Sequence, residues 1–171
     1  MRVLVTRPIE DAEETAARLR SRGHIAVIAP LLEVRFRDGP EISFDGIQAI
    51  VATSANGIRA LLRRTQKRDV RLFAVGPQTA AVAQAAGFVD VQNSQGDSIA
   101  LADAISTWAD PGKGALLHVA GNEATGKLAA RLSEHGFIVR RDVLYDVAPV
   151  AALPAEAVNA LRNRELDAVL L

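Results

Sequence analysis

From Gly121 to Leu128 the sequence reads GNEATGKL. The spacing G-x-x-x-x-G-K is that of a P-loop, in which backbone N–H groups and the lysine cradle phosphates. The following position in such a loop is Ser or Thr, whose hydroxyl helps to hold magnesium; here it is Leu128. Leu128 also pairs with Leu132 at i, i+4, an arrangement suited to facing a sheet. Two other stretches carry polar groups where a strand gives way to a helix. TSANGIRALL (53–62) presents Thr53, Ser54 and Asn56, and AVGPQTAAVAQAAG (74–87) presents Gly76, Pro77 and Thr79. The GNEATGKL loop adds Gly121, Asn122 and Thr125. Helix N-capping alone explains any one of these. Three such loops along the carboxyl edge of a parallel sheet suit an anionic ligand, because free helix N–H groups and hydroxyls face the same crevice.

Other candidates stand alone. Arg7, after the strand VLVT, would add a positive charge from a second domain, although a solvated surface Arg is its ordinary reading. Tyr145 is the sole tyrosine and lies in an extended stretch, as a packing residue or as a proton donor. His24, His118 and His135 are far apart and give no metal-ligand spacing, so no metal is expected. Neither a Ser-His-Asp set nor a carboxylate pair stands out.

Composition narrows the class. Lys plus Arg and Asp plus Glu are 20 each, so the basic excess of a nucleic-acid binder is absent. Aromatic residues are only 4%, which argues against stacking platforms for bases. The chain has no Cys, in keeping with a reducing compartment. The start, MRVLVTRP, turns polar too soon for a signal peptide, and no apolar run has membrane-span length. A cytoplasmic protein without membrane or nucleic-acid partners is expected.

The elements that must position these residues follow from hydrophobic period. VLVT, IAVIAP, AIVATS, LFAVG and LLHVAG read as buried strands. Helical spacing follows over 9–22, 56–62, 79–86 and 123–134, with Gly23, Gly87 and Gly136 as stops. This alternation predicts an α/β fold with parallel sheets. LLEVRFRDGPEISF (31–44) and VLYDVAPVAALP (143–154) break the rhythm and read as extended linkers. An internal repeat, AARLRSRGHI (16–25) against AARLSEHGFI (129–138), suggests two similar domains. Aligned on AARL, Gly121, Gly126 and Lys127 fall opposite Pro8, Glu13 and Glu14, so the copies share no phosphate cradle. The predicted organisation is a first α/β domain of 1–30 plus 155–171 and a second, inserted domain of 38–142. Strands in 31–37 and 143–154 form a two-stranded linker. Because LDAVLL (166–171) reads as a sheet strand, the first domain is expected to be incomplete.

Taken in order, VLVTRP, DGIQAIVATSANGIRAL, AVGPQTA, LLHVAGNEATGKLAARLSEHG, VLYDV and LDAVLL resemble the uroporphyrinogen-III synthase family along the whole chain. The resemblance implies two α/β domains joined by a two-stranded linker, and no cofactor. It implies a lyase that cyclises hydroxymethylbilane with inversion of the last ring and loss of water. The product would be uroporphyrinogen III, on the way to heme, siroheme, cobalamin or chlorophyll. It further implies a linear tetrapyrrole substrate bearing carboxylates, with transient handover from hydroxymethylbilane synthase and a monomeric enzyme as expectations. Tyr145 matches the linker tyrosine that assists departure of the hydroxyl. Thr53, Ser54 and Thr79 match the family's loops, and Arg7, Asn56, Gly76, Gly121 and Asn122 would bind substrate. Members continue beyond a strand like LDAVLL, which keeps open an inactive relative or fragment with a carboxylate-binding cleft. A P-loop or flavodoxin-like nucleotide protein is the remaining alternative.

Overall fold

The computed structural model describes residues 1–171, which form a mixed α/β fold with parallel sheets. The chain divides into two compact units, Met1–Arg35 with Val147–Leu171, and Phe36–Asp146. No helix is long and apolar enough to cross a membrane.

In the first unit, β1 (Arg2–Val5) lies between β2 (Ile25–Ile28) and β9 (Ala168–Leu170), parallel to both. Val3, Leu4 and Val5 are all buried, as the uninterrupted apolar run requires. Helix α1 (Ile9–Arg20) carries Glu10 and Asp11 in its first turn and Arg18 and Arg20 in its last, which complements the helix dipole. Its buried residues are Ala12 and Ala16, one turn apart, and α6 (Ala155–Arg162) buries Ala157 and Ala160. Small side chains at these positions let both helix backbones pack closely. Leu4, Val27, Ala29 and Ala157 form the unit's core cluster.

A six-stranded sheet has the order β3-β8-β7-β4-β5-β6. Its strands are β3 (Leu32–Phe36), β4 (Ile47–Ala52), β5 (Arg71–Val75), β6 (Val91–Ser94), β7 (Ala115–Gly121) and β8 (Val139–Pro149). From β8 through β6 every neighbouring pair is parallel. The connecting helices are α2 (Ala55–Leu62), α3 (Gly76–Ala85), α4 (Ser98–Trp108) and α5 (Lys127–Glu134). Each leaves the carboxyl end of a strand, so all four helix heads lie along one sheet edge.

Strand alternation sorts the residues of this sheet between two covered faces. Ala49, Val51, Phe73 and Leu116 pack with Leu101, Ala102 and Ile105 of α4 and Leu128 and Leu132 of α5. The alternate residues, Ile50, Ala52, Leu117 and Val119, point to the opposite face, where α2 contacts β4 and β7. On β7, His118 therefore shares a face with Leu116, and Gly121 shares one with Val119.

Some sequence expectations need correction. The stretch 143–154 is not purely a linker: β8 already begins at Val139, and its first half is a strand of the sheet beside β7. Polar Asp142, Tyr145 and Asp146 break the apolar run that marks core strands. The helix expected over 123–134 begins only at Lys127, the one over 79–86 already begins at Gly76, and the one over 9–22 ends at Arg20.

The approach of α2 to β7 depends on one glycine. A Cβ on Gly57 would lie 2.7 Å from the Val119 carbonyl oxygen. Gly57→Ala is expected to destabilise the protein by about 1–3 kcal/mol despite the better helix propensity of alanine. The midpoint of urea unfolding measures this directly.

Candidate functional site

On the α2 face, the site is built around a shift in strand register. β7 and β8 pair in step from Leu116↔Val139 to Ala120↔Val143, and then Gly121 stands beside Tyr145. The extra residue is Leu144, and a bulge of this kind re-aims the side chain that follows it. The tyrosine ring lies against the bare Cα of Gly121: a Cβ there would meet ring carbons at 2.6 and 2.8 Å. The first glycine of the G-x-x-x-x-G-K pattern thus makes room for a ring. Asn122 follows it, with its amide donating to the Tyr145 carbonyl at 3.0 Å.

Tyr145 is buried at 6% exposure. Burial pushes its phenol above the ordinary value, while a hydrogen bond with the Ser54 side chain works in the other direction. The phenol therefore keeps its proton at neutral pH and can donate it. Ser54 is the N-cap of α2, with extended backbone and its Oγ accepting the Asn56 N–H at 3.2 Å. One hydroxyl thus both starts a helix and touches the tyrosine. Asn56 is itself buried, and its Oδ1 accepts a hydrogen bond from Arg59 at 2.6 Å. That carbonyl is committed within α2.

Thr53, one residue before Ser54, belongs to the other face. It lines a pocket of about 230 Å³ with Ser98, His118, Glu123, Thr125 and Gly126. Gly126, in the left-handed conformation at φ 78°, is the N-cap of α5, and no side chain caps this helix. Leu128 is buried in the core with Leu132, and Lys127 is exposed. The phosphate-loop spacing of GNEATGKL is therefore divided among a strand end, a loop and a helix start.

His118 lies in this pocket at 3% exposure, and neither ring nitrogen has a hydrogen-bond partner. Burial, and then the charge of Arg141, lower its pKa to about 4. Arg141 lies beside it in register on β8 and donates to the Gly121 carbonyl at 3.2 Å.

The remaining candidates sit elsewhere. Gly76 and Thr79 belong to the first turn of α3, where Val75 is the N-cap without a side-chain hydrogen bond and Thr79 is buried. Arg7 belongs to the first unit, half-buried just beyond β1. The structure thus gathers Ser54, Gly121, Asn122 and Tyr145 together, with Thr53 on the adjoining pocket. Sequence reading missed His118 and Ser98. The available signal was a titratable side chain inside the apolar run LLHVAG.

The suppressed basicity of His118 has a thermodynamic consequence. Its unfolded form binds a proton near pH 6.5 and its folded form near pH 4, so stability rises with pH across that window. Stability is full above about pH 6.5 and falls by up to ~3 kcal/mol toward pH 4. His118→Gln should flatten this part of the profile when urea unfolding is measured at pH 7 and pH 4.5.

Comparison with known proteins now bears on this geometry. The family model "Uroporphyrinogen-III synthase HemD" matches residues 13–171. A search of curated proteins finds no match. Among solved structures, a mutant uroporphyrinogen III synthase from Thermus thermophilus superposes with a TM-score of 0.57 at 18% identity. That alignment covers 99% of this chain and 71% of the other. Uroporphyrinogen-III synthetase from Helicobacter pylori gives a TM-score of 0.60 at 20% identity, over 94% and 68% of the two chains. At such identities the likeness is one of fold, and it agrees with the family match. The chain belongs to the uroporphyrinogen-III synthase family, whose work is tetrapyrrole biosynthesis.

Proposed function

We propose that this chain is a cyclising lyase that converts hydroxymethylbilane into uroporphyrinogen III, inverting the last pyrrole ring and releasing water. The observation that carries this reading is Tyr145: a buried phenol seated on Gly121, in hydrogen-bond contact with Ser54, at the edge where the helix heads gather. Loss of the terminal hydroxyl breaks a carbon–oxygen bond, and the departing oxygen needs a proton to leave as water. A neutral phenol supplies that proton or a strong hydrogen bond to it. The cationic methylene left behind is attacked by the substituted carbon of the last ring, giving a spiro intermediate that rearranges and closes the macrocycle. The final loss of a ring proton restores the phenol. No redox step occurs, and no electron carrier is called for. Holding the linear chain in a coiled near-attack geometry is the other requirement.

Ser54, through its contact with the ring, fixes the direction of the phenol. Gly121 and Asn122 hold Tyr145 from the β7 side. Thr53, the α2 head with Asn56, and the α3 head with Gly76 and Thr79 offer hydroxyl or N–H donors to the substrate's carboxylates. The proposal includes a two-domain organisation with strands 31–37 and 143–154 as its connection, supported by the AARL repeat. It also takes the enzyme to be a cytoplasmic monomer supplied by hydroxymethylbilane synthase; the absence of Cys accords with a reducing compartment and bears on neither of the other two points.

Incubation with hydroxymethylbilane decides the matter. Isomer III is expected, and isomer I alone, the spontaneous product, would refute the assignment. Tyr145→Phe should reduce kcat by about 10²-fold, in the range of general-acid contributions, with little change in KM. An unchanged kcat would remove the phenol from the chemistry.

A further inference from the structure

The pocket containing His118 lies on the face of the sheet away from Tyr145, and the phenol chemistry does not use it. Two independent features point to a ligand there. The head of α5 presents its leading N–H groups without a side-chain cap, and its N-cap residue, Gly126, has no side chain to offer. Beneath it, His118 is almost wholly buried, with both ring nitrogens unpartnered. A buried polar group left in this state costs stability unless something occupies the space beside it. The pocket holds about 230 Å³. That is several times the ~30 Å³ share of a water molecule and enough for a short acid arm with solvent.

The surrounding groups define the ligand's chemistry. Thr53 from the end of β4, Ser98 from the head of α4 and Thr125 from the loop before α5 contribute hydroxyls. Asp97 caps the head of α4, where its Oδ1 accepts the Ile99 and Ala100 N–H groups at 3.0 Å, and its negative charge opposes an anion beside Ser98. The charged groups near the pocket are Arg141 on β8, Asp97 at the head of α4, Glu123 at the exposed rim and, outside the lining, the exposed Lys127 at the start of α5. The helix head, Arg141 and Lys127 favour an anion. Glu123 opposes one; because doubling the ligand's charge scales attraction and repulsion alike, the choice of a carboxylate over a phosphate follows from the lyase reading.

We propose that this pocket binds one carboxylate arm of the substrate. One ring nitrogen of His118 donates to it, and the head of α5 with the Thr53, Ser98 and Thr125 hydroxyls completes its shell. The inference rests on the lyase reading for the identity of the ligand. It assigns His118 to binding on one face of the sheet while Tyr145 carries the chemistry on the other. A carboxylate held against the imidazole also raises its affinity for a proton, so binding is accompanied by proton uptake on the acid side of neutrality.

The test begins with long-range proton–nitrogen NMR of the His118 ring in the full chain, titrated separately with propionate and with inorganic phosphate. Saturable movement of the His118 resonances with propionate is expected. Movement with phosphate alone, or with neither, overturns the proposal. In turnover, His118→Leu should raise KM for hydroxymethylbilane about tenfold and leave kcat nearly unchanged, the loss of a hydrogen bond to a charged group. Thr125→Val alters an exposed side chain, so it raises KM without endangering the fold, while Glu123→Gln lowers KM. Unchanged KM in the Thr125 and Glu123 variants, or an effect of His118→Leu confined to kcat, overturns it. Propionate binding at His118 in a protein that forms only isomer I would sustain the carboxylate pocket and sink the lyase assignment. Isomer III formation without any propionate response would do the reverse.

Discussion

The two-residue period of a strand covered on both faces governs the arrangement of this site. β4 and β7 are buried between α4 and α5 on one side and α2 on the other, so neither strand can rotate or slip without exposing apolar surface. Consecutive residues at their carboxyl ends are consequently sent to opposite sides. Thr53 faces the His118 pocket while Ser54 touches Tyr145, and His118 and Gly121 part in the same way. A dipeptide that looks like a single polar signal is, in three dimensions, divided between two environments.

Those environments treat their titratable groups alike in one respect. Burial disfavours the charged form of each, so the Tyr145 phenol and the His118 imidazole both stay neutral at pH 7. The outcomes differ chemically, since a neutral phenol carries a proton it can donate and a neutral imidazole can donate or accept a hydrogen bond. Partnering differs too. The tyrosine has Ser54 as a hydrogen-bond partner, whereas the imidazole has none. A group with a partner is held in one orientation; one without a partner keeps its hydrogen-bonding capacity uncommitted.

How much of this was readable beforehand depended on the range of the interaction concerned. Local patterns sufficed for the parallel α/β character, because runs such as VLVT and AIVATS report burial directly. Ser54 as a helix start was equally local. The extent of β8 was less accessible: Tyr145 and its acidic neighbours disguise a strand that is half inside the sheet. Gly121 presented the hardest case. Its neighbours in sequence suggest a phosphate loop, and only the ring that rests on it, from a strand further along the chain, explains the absent side chain. His118 was legible only as a histidine without metal-ligand spacing, since a lone histidine in an apolar run is informative only once its lack of hydrogen-bond partners is visible.

The bulge at Leu144 has an implication for how such a site changes over time. Upstream, β8 is held in register by five consecutive pairings with β7, and the extra residue decides which side chain next reaches Gly121. Were the bulge closed with the same residues in place, Leu144 would stand beside the glycine instead of the tyrosine, without a single amino acid of the site being altered. What is inherited at this position is a count as much as a chemical identity. Two sequences with few matching letters can therefore keep the same tyrosine in place, and two with many can lose it.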